Sequence, residues 1–379
     1  MKEVVSLNVK YAGRKVGILA EAADGRIAFQ YDTEWLSRGF SISPLSLPLE
    51  NRVFMPERNT FDGLFGVFDD SLPDGWGRLL VDRMLLKNRV DPNAVSQLSR
   101  LAIVGSNGMG ALEYEPEMFE HNEIDISDYD KLSEECTKIL DDGDSDKLDE
   151  LVILGGSSGG ARPKVFAEWN GSKWMIKFPS KLDRKDIGEE EYRYVLCAGK
   201  CGIRVPTIRL FESAVCKGYF GAMRYDRVHF SDGTWKKIHG ITAGGLLETS
   251  HRIPNLDYAI LMKLTSILTN DNGQLEEMYR RMCFNVFAHN RDDHAKNFSF
   301  QYCEDEERWK LAPAYDLTYS SSIGGEHATT VNGNGIDPGL NDLLKVAAES
   351  GIKEAKARSM ALDVHDMISK DLGYIIGSK

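Results

Sequence analysis

Apolar and polar residues alternate singly near the start of the chain and recur every third or fourth position near its end. The runs at 4–10, 15–21 and 26–31 alternate and are parted by Ala12-Gly13-Arg14 and Ala23-Asp24-Gly25, which predicts a small antiparallel sheet. Phe40-Ser41-Ile42-Ser43-Pro44-Leu45-Ser46-Leu47-Pro48-Leu49 also alternates, but its prolines restrict it to an edge strand or an extended loop. Leu72-Pro73-Asp74-Gly75-Trp76-Gly77-Arg78 reads as a turn entering a helix over 79–87, with Pro73 and Asp74 suited to its start. Gly105 to Tyr114 reads as a glycine-rich turn feeding a strand. Further on, the pattern predicts a helix over 126–140, strands over 164–169 and 174–178, a helix over 189–201, and strands over 207–212 and 219–225. After residue 255 the helical period takes over, at 258–268, 273–288, 340–349 and 352–370, with strand-like runs 298–302 and 308–311 in between. Strands first and helices later is an α+β order, and no internal repeat is visible.

Composition narrows the class without naming a function. A chain of 379 residues has room for two domains or one bilobal unit, and 42% hydrophobic with 27% charged residues is ordinary for a soluble globular protein. No run approaches 18 apolar residues, so a membrane span is not expected. Met1-Lys2-Glu3-Val4-Val5-Ser6-Leu7 has no apolar leader pattern, and a cytoplasmic location is expected. The cysteines at 136, 197, 201, 216, 283 and 303 form no Cys-x-x-Cys pair, the pattern of reduced thiols rather than a zinc site. A net charge of -12 disfavours autonomous nucleic-acid binding; it suits a basic protein partner and a soluble enzyme equally. The acidic stretch 113–150, which includes Asp141-Asp142-Gly143-Asp144-Ser145-Asp146, is the candidate domain junction, and its charge reads as a solvated face.

Chemistry enters with Asn290-Arg291-Asp292-Asp293-His294-Ala295-Lys296-Asn297 and Ala314-Tyr315-Asp316-Leu317. An Asp followed five residues on by Asn, and later by a second Asp, is the spacing of a phosphoryl-transfer site. The first Asp accepts the proton of the attacking hydroxyl, and the other two hold Mg²⁺. A hairpin turning at Cys303-Glu304-Asp305-Glu306-Glu307 would carry Asn297 at one root and Asp316 near the other. The alternative is a polar loop whose Asp residues cap helices and bind water; three correctly spaced groups outweigh it.

Gly155-Gly156-Ser157-Ser158-Gly159-Gly160-Ala161-Arg162-Pro163-Lys164 could wrap phosphates through backbone N–H groups, although it is not a Walker A loop and also reads as a plain linker. Lys177, in Trp174-Met175-Ile176-Lys177-Phe178-Pro179, ends a strand where kinases place the lysine that binds α/β-phosphates; the other reading is an edge-strand lysine facing solvent. Glu191 could orient it, with Glu189 and Glu190 as competitors. Met223-Arg224-Tyr225-Asp226-Arg227 follows a strand, where a chain crossing between lobes would offer backbone groups to adenine.

Over nearly its whole length the chain resembles the HipA-type serine/threonine kinases of bacterial toxin–antitoxin modules. The resemblance is carried by residues 72–78, by Val104-Gly105-Ser106-Asn107-Gly108-Met109-Gly110-Ala111-Leu112, by the Gly/Ser loop, by 223–227 and by Asp292-Asp293-His294-Ala295-Lys296-Asn297-Phe298-Ser299 with Ala314-Tyr315-Asp316. It implies a bilobal protein-kinase-like α+β fold: an extra N-terminal β-rich subdomain over 1–125, an N-lobe-like region over 126–225 and a helical C-lobe over 226–379. It also implies ATP and Mg²⁺ as cofactors. Asp292 matches the catalytic Asp, Asn297 and Asp316 the metal ligands, and Lys177 the ATP-contacting lysine. Gly159, Gly160, Ala161, Arg162, Pro163 and Lys164 match the phosphate-facing loop, and Met223, Arg224 and Tyr225 the adenine hinge. His294, Ala295, Lys296, Asn297 and Tyr315 match the nucleotide lining.

Ser157 falls on the serine that family members autophosphorylate, a modification implied to eject the loop and silence the kinase; Ser158 beside it keeps the position open. The partners implied are a HipB-like helix-turn-helix antitoxin, DNA only through that partner, and a protein substrate, with an aminoacyl-tRNA synthetase as a candidate. Two departures stand out. Met223 occupies a position where a polar or acidic residue is expected, and Ala161-Arg162-Pro163 changes the charge and rigidity of the loop. A nucleotide-sensing module that holds a DNA-bound antitoxin and a small-molecule kinase remain as alternatives. A metal-dependent hydrolase on Asp292, Asp293 and His294 is a distant third.

Overall fold

The computed structural model describes residues 3–57, 59–119, 126, 128–230, 233–322 and 324–378. Met1 and Lys2 of the segment read for a leader, residues 120–125 of the acidic junction with the boundary set after Asp125, and Ser127 of the helix expected over 126–140 lie outside the described residues. The chain divides into two compact units. One comprises Met1–Gly188, Leu210–Ile241 and Gly245–Thr249; the other comprises Glu189–Arg209, Thr242–Gly244 and Ser250–Lys379.

In the first unit the alternating runs become a five-stranded sheet, in the order Val53–Phe54, Ile27–Tyr31, Arg14–Glu21, Ser6–Tyr11, Leu112–Glu115. Leu7, Val9 and Tyr11 share its buried face, and Tyr11 meets Trp35 and Phe40 edge-on at 5.7 and 5.5 Å. Residues 40–49 take the extended-loop alternative, with a single bridge between Ser43 and Leu47. Here the Tyr31 hydroxyl donates to the Leu47 carbonyl at 2.8 Å, a bond that does not need the N–H groups the prolines lack.

A second antiparallel sheet runs Lys164–Trp169, Ser172–Lys177, Tyr219–Met223, Ile208–Phe211. The helices Gly75–Lys87 and Leu148–Gly155 pack together against it, through a core that includes Trp76, Leu80, Leu151, Leu154, Val165, Ile176 and Tyr219. The helix Gly75–Lys87 starts four positions before residue 79 and takes in most of the motif read as its entry turn. Among the described helices of eight or more residues, two escape the sequence pattern. Gln97–Val104 is buried at every position from Leu98 onward, Ser99 and Arg100 included, so its polar residues do not face solvent. Leu148–Gly155 runs directly into the glycine loop.

The second unit is mainly helical: most of Ile187–Lys200, then Tyr258–Thr269, Asn272–Phe287, Leu340–Glu349 and Glu354–Ile376. Asp257 caps the second of these through the Ala259 amide, and Asp271 caps the third through Gly273 and Gln274. The last helix extends past residue 370, because Leu372 and Ile375 continue the buried face of Val364 and Ile368. A hairpin, Ser299–Cys303 with Arg308–Leu311, and a short parallel pairing of Leu256–Asp257 with Thr329–Thr330 complete the unit. Among the described residues, no helix is long and apolar enough to cross a membrane.

Candidate active-site residues

The acidic loop lies in the second unit. Asp292 is exposed, its side chain at 65% of full accessibility, whereas Asp293 beside it is completely buried. Asp293 is held on several sides. The Tyr258 hydroxyl donates to Oδ2 at 2.8 Å, His327 Nδ1 lies 2.9 Å from the same oxygen, and the Thr329 amide donates to Oδ1 at 3.2 Å. Thr329 Oγ1 also donates to the Asp293 carbonyl at 2.5 Å. Burial, reinforced by the Asp293 charge, raises the Tyr258 phenol well above its ordinary range and keeps it a donor.

From Tyr258 the network continues through Asn285, which donates to the phenol oxygen at 2.8 Å, to Asn290, which donates to Asn285 Oδ1 at 3.0 Å and to the Asp316 carbonyl at 3.4 Å. The Tyr315 hydroxyl donates to the Lys296 carbonyl at 2.5 Å, and Tyr315 is also hydrogen-bonded to Ser299. The segment after Asp316 pairs in parallel with Asn290 through Ser320. Residues 290–297 and 315–316 are thereby joined into one hydrogen-bonded assembly. The Asp316 backbone takes the left-handed conformation, with φ of 52°. Asn297 closes a 3-10 turn and donates Nδ2 to the Asp292 carbonyl at 2.6 Å, which leaves its Oδ1 as the oxygen it can offer a cation.

The glycine loop lies in the first unit. Gly159, Gly160 and Ala161 at its tip are exposed, while Ser157 and Ser158 are buried and bonded inward. Ser157 Oγ donates to the Asn107 carbonyl at 2.8 Å and Ser158 Oγ to the Gly155 carbonyl at 2.6 Å. Arg162 pairs with Asp183 at 3.2 Å. Lys164 and Lys177 stand directly opposite each other on neighbouring strands, an arrangement of like charges that is unfavourable by itself. The Lys164 ammonium turns back to the Gly159 carbonyl, and Lys177, buried at 8% exposure, lies 5.6 Å from the Phe220 ring centre.

Of the three glutamates considered as partners for Lys177, Glu189 pairs with Arg193 at 2.6 Å, while Glu190 and Glu191 are buried. At 223–227 the Arg224 guanidinium is bound to Asp226 at 2.9 and 2.7 Å and to the Gly108 carbonyl at 3.2 Å, and its amide donates to Lys173. The side chain and amide of position 224 are therefore already engaged within the first unit. Burial would raise the Asp226 carboxyl, but Arg224 and Arg227 outweigh it and hold the carboxyl well below the usual range. Arg227 and Asp226 in turn hold Gly110 and Gly108, which explains the companion motif at 104–112.

Comparisons with known proteins bear on both units. A family model described as the HipA N-terminal domain matches residues 7–115, and one described as the HipA-like C-terminal domain matches residues 156–372. The chain belongs to the HipA family. It is 27% identical over 343 residues to a Sinorhizobium fredii protein named "Putative kinase Y4mE", covering 82% of this chain and 76% of that protein. HipA of Shewanella oneidensis MR-1, solved with HipB and its operator DNA, superposes over 98% of this chain and 90% of that one, with a TM-score of 0.73 at 16% identity. That likeness is one of fold, and it agrees with the mixed α+β class read from the sequence.

The side chains of this HipA-family chain suit the cofactors its motifs imply. Asn297 and Asp316 offer oxygen ligands, the donor type Mg²⁺ takes. Among the described residues no cluster of three or more His, Cys, Asp or Glu could hold a metal. Two protein ligands completed by phosphate oxygens is the usual Mg²⁺ arrangement. His294 Nδ1 is buried with no hydrogen-bond partner among the described residues, an open polar position in the loop matched to nucleotide lining. Sequence reasoning missed Asp293, Tyr258, His327, Asn285 and Asn290 as the frame of this loop. A second Asp beside the first was the available signal, but residue type alone cannot separate an exposed carboxylate from a buried one.

Proposed function

We propose that the chain is an ATP- and Mg²⁺-dependent serine/threonine protein kinase, the toxin component of a module with a HipB-like helix-turn-helix antitoxin. The carrying observation is the contrast within one loop: Asp292 is exposed while its neighbours are fixed by a buried network. A carboxylate held on such a frame can orient an acceptor hydroxyl and take its proton. Lys177 and the backbone of residues 159–164 would engage the phosphates of ATP, and 223–225 the base. Mg²⁺ bound by Asn297 and Asp316 would neutralise phosphate charge. Family membership supports the reading, as do a relative named as a kinase and a structural neighbour crystallised with HipB and operator DNA. DNA would be met only through the antitoxin, and the substrate would be a protein, an aminoacyl-tRNA synthetase being a candidate.

Self-inactivation at Ser157 fits the local chemistry. The hydroxyl donates to the Asn107 carbonyl, whereas a phosphoserine has no proton to donate there and adds nearly two negative charges beside that oxygen. The seat of the loop would be lost. The test is intact-mass spectrometry of dephosphorylated protein after incubation with ATP and Mg²⁺, wild type beside Asp292→Ala. One added phosphate on the wild type alone, mapped to Ser157 or Ser158, supports the proposal. Equal phosphorylation of the Asp292→Ala protein would overturn it.

A further inference from the structure

Residues 72–78 form a motif that neither phosphate binding nor proton transfer accounts for. Asp74 occupies the N-cap position of the helix Gly75–Lys87 with extended backbone, yet makes no capping bond to its own helix. An Asp in that position ordinarily accepts from the second or third helical amide. Its Oδ1 accepts instead from the Gly160 amide, 86 residues along the chain. Two residues later the Trp76 amide donates to the Gly160 carbonyl at 2.8 Å, so this one residue is held at both its amide and its carbonyl. Trp76 Nε1 then donates to the Lys164 carbonyl at 3.0 Å, securing the far end of the loop. The approach is close enough to require glycine: a Cβ on Gly75, whose φ is 44°, would overlap the Gly160 carbonyl, and one on Gly77 would overlap that of Ser158.

We infer that Asp74 is a positioning residue for the phosphate loop, acting through the Gly160 amide. The inference rests on the kinase reading for its functional consequence, but the contact itself does not. Gly160 takes the left-handed conformation, with φ of 80°, at the exposed tip of the loop. Turns of that kind direct successive amides toward an anion, and the path of those amides depends on what fixes the glycine. With its carboxylate committed to Gly160, Asp74 sets that path at the expense of capping its own helix.

The test uses the full chain in three forms. Asp74→Ser keeps a helix-capping hydroxyl but is too short to reach Gly160. Asp74→Asn keeps an acceptor oxygen at the original reach. Hydrogen–deuterium exchange of residues 156–163 should speed up by about tenfold in Asp74→Ser, the loss expected for one charge-assisted hydrogen bond, with Asp74→Asn close to wild type. KM for ATP in self-phosphorylation should rise about tenfold in Asp74→Ser with kcat within about threefold, and the Asn variant should restore it. Exchange in Asp74→Ser equal to wild type would overturn the inference, as would an Asn variant as impaired as the Ser variant. Exchange needs no nucleotide. Failure of wild type to bind ATP would therefore count against the kinase reading, while the exchange result would still decide whether Asp74 holds the loop.

Discussion

The loop at 155–164 is held by Asp74 at its Gly160 amide, 86 positions away, and by its Ser157 hydroxyl on the Asn107 carbonyl, 50 positions away, whereas the loop at 290–297 is held largely through one buried carboxylate of its own, Asp293. A run of glycine and serine has little side chain to grip, so its path must be set by groups that reach its peptides. An acidic loop can bury one carboxylate as an anchor and leave the adjacent one exposed. In both loops a fixed frame leaves a small exposed part: the tip at Gly159 to Ala161, and Asp292.

The sharpest way to break this comparison is to exchange the fates of the paired aspartates. Asp292→Ala should lower phosphoryl transfer by about 10³-fold or more. Its unfolding free energy should stay within about 0.5 kcal/mol of wild type, because the side chain is exposed. Asp293→Ala should instead cost about 3–5 kcal/mol, since it strands Tyr258, His327 and the Thr329 amide in a buried site. Urea denaturation of both proteins checks this, and equal losses would remove the distinction between anchor and exposed carboxylate.

Glu248, in the first unit, sharpens the comparison from another direction. Asp293 is held by Tyr258, His327 and the Thr329 amide, whereas both oxygens of Glu248 share the Gly66 amide at 3.1 and 3.0 Å, with Ser46 as a further hydrogen-bonding neighbour. Burial, opposed by the Gly66 amide and Ser46 and aided by the charges of Asp70 and Asp69, pushes the Glu248 carboxyl up to about 7. The folded state then keeps a proton that the unfolded chain gives up at the ordinary glutamate value of 4.5. The resulting stability is full below pH 4.5, falls as pH rises toward 7 and is lost above it. Glu248→Gln should flatten this fall and stabilise the protein at pH 8 by on the order of 2–3 kcal/mol. Urea midpoints at pH 5 and pH 8 measure it, and an unchanged pH slope would contradict the assignment. The smallest effect belongs to Trp76→Phe, which removes the bond to the Lys164 carbonyl while keeping most of the ring. It should cost about 1 kcal/mol and speed exchange at the far end of the glycine loop.

Spacing made part of this legible in the sequence, and the remainder was hidden by distance along the chain. Asp292, Asn297 and Asp316 stand out because the signal is short-range and of one chemical type. The alternating strands and the helices after residue 255 stand out because burial on one face imposes a period. Gln97–Val104 is short and buried from Leu98 onward, Ser99 and Arg100 included, so its polar side chains do not mark a solvent face. Asp74 could be read as a helix start, but a carboxylate that leaves its own helix for an amide 86 residues away has no local signature. The frame of Asp293 was equally silent, since Tyr258 and His327 approach it from 35 residues before and 34 after.

The central claim is that Asp292 serves the transfer step and is dispensable for holding the nucleotide, whereas Lys177 serves nucleotide binding. It is tested most directly by calorimetric titration of MgATP into wild type, Lys177→Ala and Asp292→Ala. The account predicts that Lys177→Ala weakens binding about tenfold or more and that Asp292→Ala stays within about threefold of wild type. Absence of MgATP binding to the wild type, or equal weakening by the two substitutions, would contradict it.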